Sequence, residues 1–167
     1  HSVTVFERDA VPGGLLTYGI PNMKLPKSVV ARRIALMRAE GVAFETGVDV
    51  GRGLSFDALR SGHDCVIYCC GAQKPRELGF EGEADGICYA ADYLKDAAKA
   101  LLGEEGTGLT AEGKNIIVVG AGDSASDCIA TALRQGCVSV TQLIRRPASD
   151  YAGVPEDYAH EEARAVF

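Results

Sequence analysis

Hydrophobic positions in this chain fall into short runs divided by glycine-rich turns, and two periodicities alternate along it. Ser2–Phe6 (SVTVF) is β-branched and aromatic, which predicts a strand. Lys27 to Glu40 carries Val29, Val30, Ile34, Leu36 and Met37 at helical spacing, with Gly41 placed to end the helix. Val42–Thr46 predicts a second strand, and Phe56–Ser61 a short helix with Ser55 as its N-cap. Asp64–Cys70 (DCVIYCC) is a continuous apolar run, the pattern of a strand covered on both faces. Gln73 to Gly86 is loop-like, and Tyr89–Leu102 is Ala-rich and helical.

The glycine-rich stretch 103–113 (GEEGTGLTAEG) has no apolar period and is the best linker. Asn115–Val119 predicts a buried strand, Asp123–Gln135 a helix closed by Gly136, Val138–Ile144 a strand, and Glu156–Phe167 a terminal helix. Strands alternating with helices predict an α/β, Rossmann-like fold with a doubly wound parallel sheet. The expected division is residues 1–104 and residues 105–167, each an incomplete dinucleotide-binding unit.

With 47% hydrophobic and 24% charged residues, the composition is that of a globular protein. A net charge of −6 argues against nucleic acid and anionic membrane surfaces as partners. No apolar run reaches the ~20 residues that span a bilayer. The N-terminal HSVTVFERDA lacks the regions of a secretory signal, and it opens on His1 rather than Met. Six cysteines and three histidines fit neither a zinc module nor a disulfide framework. They are expected to be reduced, buried and structural, with Cys70 a partial exception, which places the protein in the cytoplasm and leaves it without a metal.

The strongest chemical signal is Gly120-x-Gly122-x-x-Ala125, which follows a predicted strand and opens a predicted helix. Gly120 permits a tight turn, Gly122 lets a pyrophosphate approach the backbone, and Ala125 lets the helix pack closely on the strand. Unpaired N–H groups and the positive end of the helix dipole would then meet the phosphates. The bland alternative is a glycine-rich turn that binds nothing. The next strand ends in Arg145-Arg146, where a dinucleotide fold selects its cofactor. Paired guanidiniums suit a 2′-phosphate and favour NADPH over NADH; otherwise they are a solvated surface pair. Glu7 ends the first strand, where a carboxylate would accept from ribose hydroxyls, although no glycine fingerprint precedes it here. By itself Glu7 is a weak signal and reads more readily as a solvated loop carboxylate.

Four stretches resemble the small subunit of bacterial glutamate synthase, in that family's order and near its spacing. They are Phe6–Lys27 (FER-x5-GGLLTYGIPNMKLPK), Cys69–Leu78 (CCGAQKPREL), Val118–Cys128 (VVGAGDSASDC) and Gly136–Leu143 (GCVSVTQL). The Tyr18–Pro21 and Lys24-Leu25 cluster is shared with dihydropyrimidine dehydrogenase and electron-bifurcating NADPH–ferredoxin oxidoreductases. Gln73 and Ala121 depart from residues common in the family, Thr and Gly. The chain looks like an internal part of such a subunit. The family's iron–sulfur region and first FAD fingerprint have no counterpart in it.

The resemblance implies an NADPH-dependent FAD oxidoreductase that passes electrons through iron–sulfur centres, absent from this stretch, to a large subunit that forms glutamate. Glu7 would hold the FAD ribose; Gly13, Gly14, Leu15 and Leu16 would line FAD; Cys70, Gly71 and Ala72 would pass the flavin. Gly120, Gly122, Asp123, Ser124 and Ala125 would bind the NADPH pyrophosphate, and Arg145 and Arg146 its 2′-phosphate. No side chain acts as acid or base, because hydride passes directly between the cofactors. Alternatives are a bifurcating or pyrimidine-reducing relative, or a nucleotide-binding module without redox chemistry. By itself the chain is expected to be inactive and to release FAD, and the open edge of its first strand to be closed by a second copy, by exchange of an element or by rearranged pairing.

Overall fold

The computed structural model describes residues 1–72, 74–75 and 86–144, together with the backbone of a strand at 163–166. Contacts gather the chain into two compact units. The first holds His1–Thr17 and Leu25–Ile87; the second holds Tyr18–Lys24 and Cys88–Phe167. Residues 88–104, placed in the first division by the sequence reading, fall in the second unit.

In the first unit, β1 (Thr4–Glu7) pairs in parallel with β2 (Ala43–Thr46), Thr4 opposite Ala43 and Glu7 opposite Thr46. The crossover carries a single helical turn, α1 (Leu15–Tyr18), and the longer α2 (Lys27–Ala39). Apolar residues on α2 form two stripes. Val30, Ile34 and Met37 share one face, along which Val30 is buried and Ile34 half-buried; Val29 and Leu36 lie on another and stay exposed. Gly41 ends α2 with φ +96°, its N–H donating to the Arg38 carbonyl. α3 (Phe56–Gly62) starts where expected, the Ser55 hydroxyl accepting from the Ala58 N–H at 3.2 Å.

Residues 64–70 form no strand. The described part of this sheet has only β1 and β2, so the run finds no ladder partner. Ile67 is 81% exposed, and Cys65, Cys69 and Cys70 are exposed rather than buried. The expectation of structural, buried thiols therefore fails for these three and for Cys88, and holds for Cys128. An apolar run becomes a buried strand only when neighbours supply hydrogen bonds and cover.

The second unit is built on β3 (Asn115–Val119), α5 (Asp123–Arg134) and β4 (Ser139–Leu143), a parallel β–α–β unit with Asn115 opposite Ser139. Ala163–Val166 (β5) pairs in parallel with β4, giving the order β3-β4-β5. The helix expected over 156–167 is thus wrong at its end; pairing along the edge of β4 overrides local helix propensity there. Residues 156–162 lie outside the described residues.

The core of this unit is Ala111, Ala132 and Val140, with Ile116, Val118, Ile129 and Leu133 packed against it. β3 is not the buried strand expected: Ile116 and Val118 are half-buried, and Ile117 is 66% exposed on the other face. α4 (Ala90–Leu102) packs on α5 and ends at Gly103, φ +71°. Stretch 103–113 is no free linker. The Asp96 carboxylate accepts from Thr107 N–H and Leu109 N–H, both at 2.7 Å, and Ala111 enters the core. Composition could not show this, because the carboxylate that pins the stretch sits on α4.

Candidate dinucleotide site

Gly120 to Ala125 form the bend from β3 into α5. The bend is clamped from β4. Gly120 N–H donates to the Leu143 carbonyl at 2.9 Å, and the Gln142 amide donates to the Gly120 carbonyl at 2.8 Å. Gln142 had no role in the sequence reading. Its function depends on the β3–β4 register, which places Val118 opposite it.

The two glycines differ in why they are needed. Gly120 has φ +129°, a conformation that L side chains rarely adopt. Gly122 is the N-cap of α5, with φ −87° and ψ 179°, open to any residue. A Cβ added there would meet nothing within 4 Å. The fold therefore does not require glycine at 122, whereas a phosphate approaching the backbone does.

The N-cap of α5 is Gly122, so its own cap residue supplies no side-chain hydrogen bond. Ala125 N–H and Ser126 N–H donate to the Gly122 carbonyl at 2.9 and 3.2 Å. The N–H groups of Asp123 and Ser124 lie ahead of them in the uncapped first turn, where an anion is favoured by both hydrogen bonding and the helix dipole. Gly122, Asp123 and Ser124 are exposed and Ala125 is buried, which is the distribution such a cradle needs. Arg145 and Arg146 lie outside the described residues.

In the first unit, Glu7 ends β1 half-buried, one carboxylate oxygen accepting from Asp9 N–H at 3.0 Å. Gly13 (φ +121°) and Gly14 (φ +52°) follow. A Cβ on Gly13 would overlap the Thr17 hydroxyl, itself buried and donating to the Pro12 carbonyl at 2.8 Å. A Cβ on Gly14 would meet nothing within 4 Å. Leu15 and Leu16 are 72% and 49% exposed, an apolar surface beside open backbone. Lys27 donates from Nζ to the Leu16 carbonyl at 3.0 Å, and burial lowers its pKa. This lysine was also missed by sequence reasoning. Cys70, Gly71 and Ala72 are exposed in the same unit. A cleft of about 320 Å³ lined by Val11, Pro12, Ile34 and Arg38 lies beside this loop; Arg38 is stacked on Phe44 at 5.4 Å.

The model of a family described as pyridine nucleotide-disulphide oxidoreductase matches residues 2–163. The chain belongs to that family. It is 46% identical, over its whole length, to the glutamate synthase (NADPH) small chain of Bacillus subtilis, of which it covers 37%. It is 43% identical over 98% of its length to a putative glutamate synthase (NADPH) small chain of Cereibacter sphaeroides, covering 40% of it. A glutamate synthase (NADH) of Saccharomyces cerevisiae is 40% identical across the whole chain, which covers 8% of that protein.

Among solved structures, FprA of Mycobacterium tuberculosis in complex with NADPH superposes with a TM-score of 0.67. That match is 23% identical and covers 87% of this chain and 37% of FprA. At that identity the likeness establishes the α/β fold, as read from the strand–helix alternation. The resemblance to glutamate synthase small subunits, read from four motifs, extends along the entire chain. The chain spans well under half of the bacterial small chains it matches. Among the described residues, no helix is long and apolar enough to cross a membrane.

Proposed function

We propose that this chain is the part of an NADPH-dependent, FAD-containing oxidoreductase that holds the NADPH phosphates and lines one side of FAD. The observation that carries the reading is Gly122, a glycine for which the backbone has no need, at the uncapped start of a helix after a parallel strand. The N–H groups of Asp123 and Ser124 bind the pyrophosphate, with Gly120 shaping the bend and Ala125 keeping α5 close to β3. Arg145 and Arg146 take the 2′-phosphate. On the other unit, Glu7 accepts from the FAD ribose. Gly14, Leu15 and Leu16 lie against the cofactor, with Gly13 holding the turn and Cys70, Gly71 and Ala72 passing the flavin.

FAD, when bound, supplies the acceptor for a hydride from the nicotinamide. This chain's residues bind and orient; none donates or removes a proton. The 46% identity to a glutamate synthase small chain supports a role in passing electrons to a large subunit that forms glutamate. A second reading, with NADH as the donor, is favoured by the similarity to a yeast enzyme named for NADH.

Calorimetric titration of the protein with NADPH and NADH separates the two. We expect NADPH to bind at least ~10-fold more tightly, and Arg145→Ala with Arg146→Ala to erase the difference, since each tenfold is about 1.4 kcal/mol of phosphate contact. Equal affinity in the unaltered protein would support the NADH reading. No binding of either would overturn both.

A further inference from the structure

Tyr18–Lys24 (YGIPNMK) is a strap between two stretches of the first unit, yet it belongs to the second. Tyr18 is 3% exposed, and its hydroxyl donates to the Glu104 carboxylate at 2.8 Å. The Lys95 ammonium lies 5.3 Å from the centre of its ring. At the strap's other end, Lys24 Nζ lies 2.5 Å from Asp127 Oδ1.

Asp127 is buried on α5, the fifth residue of that helix, on the same face as Asp123. It sits about 6 Å along the axis from the helix's first residue. The first turn offers N–H groups and a positive dipole end to two phosphate charges. A bare carboxylate one turn below would oppose that field through a poorly screened interior. Lys24 supplies the opposite charge at contact distance, from a segment held at its other end by Tyr18.

We propose that Lys24 is a positioning residue for nucleotide binding: by neutralising Asp127 it preserves the positive field at the start of α5. The inference rests on the nucleotide reading above. Its test is the NADPH dissociation constant of the intact protein and of Lys24→Met, Lys24→Arg, Asp127→Asn and the Lys24→Met/Asp127→Asn double variant, with melting temperatures alongside.

Lys24→Met should weaken NADPH by about five- to tenfold, the effect of one uncompensated charge near two phosphates. Lys24→Arg should stay within about twofold of the unaltered protein, as it keeps the charge. The double variant, with neither charge, should recover affinity to within about twofold even where its melting temperature stays low. A strap that serves stability alone would move melting temperature in both Met variants and leave affinity unchanged in both.

The proposal is overturned if Lys24→Met binds as the unaltered protein does, or if the double variant stays as weak as Lys24→Met. Should Lys24→Met fail to fold, Asp127→Asn decides: it should bind NADPH at least as tightly as the unaltered protein, and weaker binding overturns the proposal. Failure of the unaltered protein to bind NADPH overturns the nucleotide reading with it. Binding that is indifferent to every variant overturns this inference alone.

Discussion

Gly13 and Gly14 are adjacent, both have positive φ, and they should respond very differently to alanine. At Gly13 the added Cβ would overlap the Thr17 hydroxyl and lie 3.1 Å from Val30 Cγ1, both on buried residues. Three costs combine. Holding an L-residue at φ +121° costs about 1–3 kcal/mol. Overpacking against a buried neighbour adds about 1–3 kcal/mol. Pushing the Thr17 hydroxyl off the Pro12 carbonyl loses about 1 kcal/mol more. We expect about 4 kcal/mol for Gly13→Ala. At Gly14, φ is +52° and the space is open, so alanine costs only about 1 kcal/mol.

The assay is hydrogen exchange of the α2 amides across a urea series, which reports the first unit separately from the second. Thr17→Ala in the Gly13→Ala background removes the overlap but not the backbone strain, and should recover about 1–2 kcal/mol. Equal losses at Gly13 and Gly14 would refute the crowding drawn between Gly13 and Thr17. The contrast also separates roles: Gly13 is fixed by its own fold, whereas Gly14 leaves room that a cofactor can use.

Two further outcomes concern the second unit. Thr107 N–H and then Leu109 N–H hold the Asp96 carboxylate below its usual range, although burial opposes them. Its contribution is present above the ordinary carboxylate pKa of about 4 and is lost as pH falls through the lower folded value. Asp96→Asn should therefore cost about 2 kcal/mol at pH 7, and urea midpoints should converge with those of the unaltered protein in strong acid. Burial chiefly, then Cys88 and Asp127 nearby, pushes the Cys128 thiol up to about 12. Alkylation at pH 8 should label the exposed Cys65, Cys69 and Cys70 and spare Cys128 until denaturant is added, as read by peptide mass spectrometry.

Much of the fold could be read from local signals. Gly41, Gly103 and Gly136 each close a helix with positive φ, and Ser55 caps α3, because these are properties of a few neighbouring residues. The Gly120–Ala125 bend was legible for the same reason. Features set by distant partners were not. Tyr18 joins the second unit through Glu104, far along the chain, and Gln142 clamps the bend only once β3 and β4 are in register. Stretch 103–113 looked like a linker because Asp96, which holds it, lies outside it. Residues 64–70 had the composition of a strand but join no sheet ladder among the described residues, and 163–166 had a helical look but an open strand edge to join.

The central claim is that the Gly120–Ala125 bend cradles a pyrophosphate, and Gly122→Asp tests it most directly. Aspartate is a favoured N-cap, and its Cβ has room at φ −87°, so stability should hold or rise by a few tenths of a kcal/mol. Its carboxylate would occupy the phosphate position. We expect an unchanged or higher melting temperature together with a loss of NADPH binding of at least ~100-fold. A variant that melts as the unaltered protein does and binds NADPH just as tightly would contradict it.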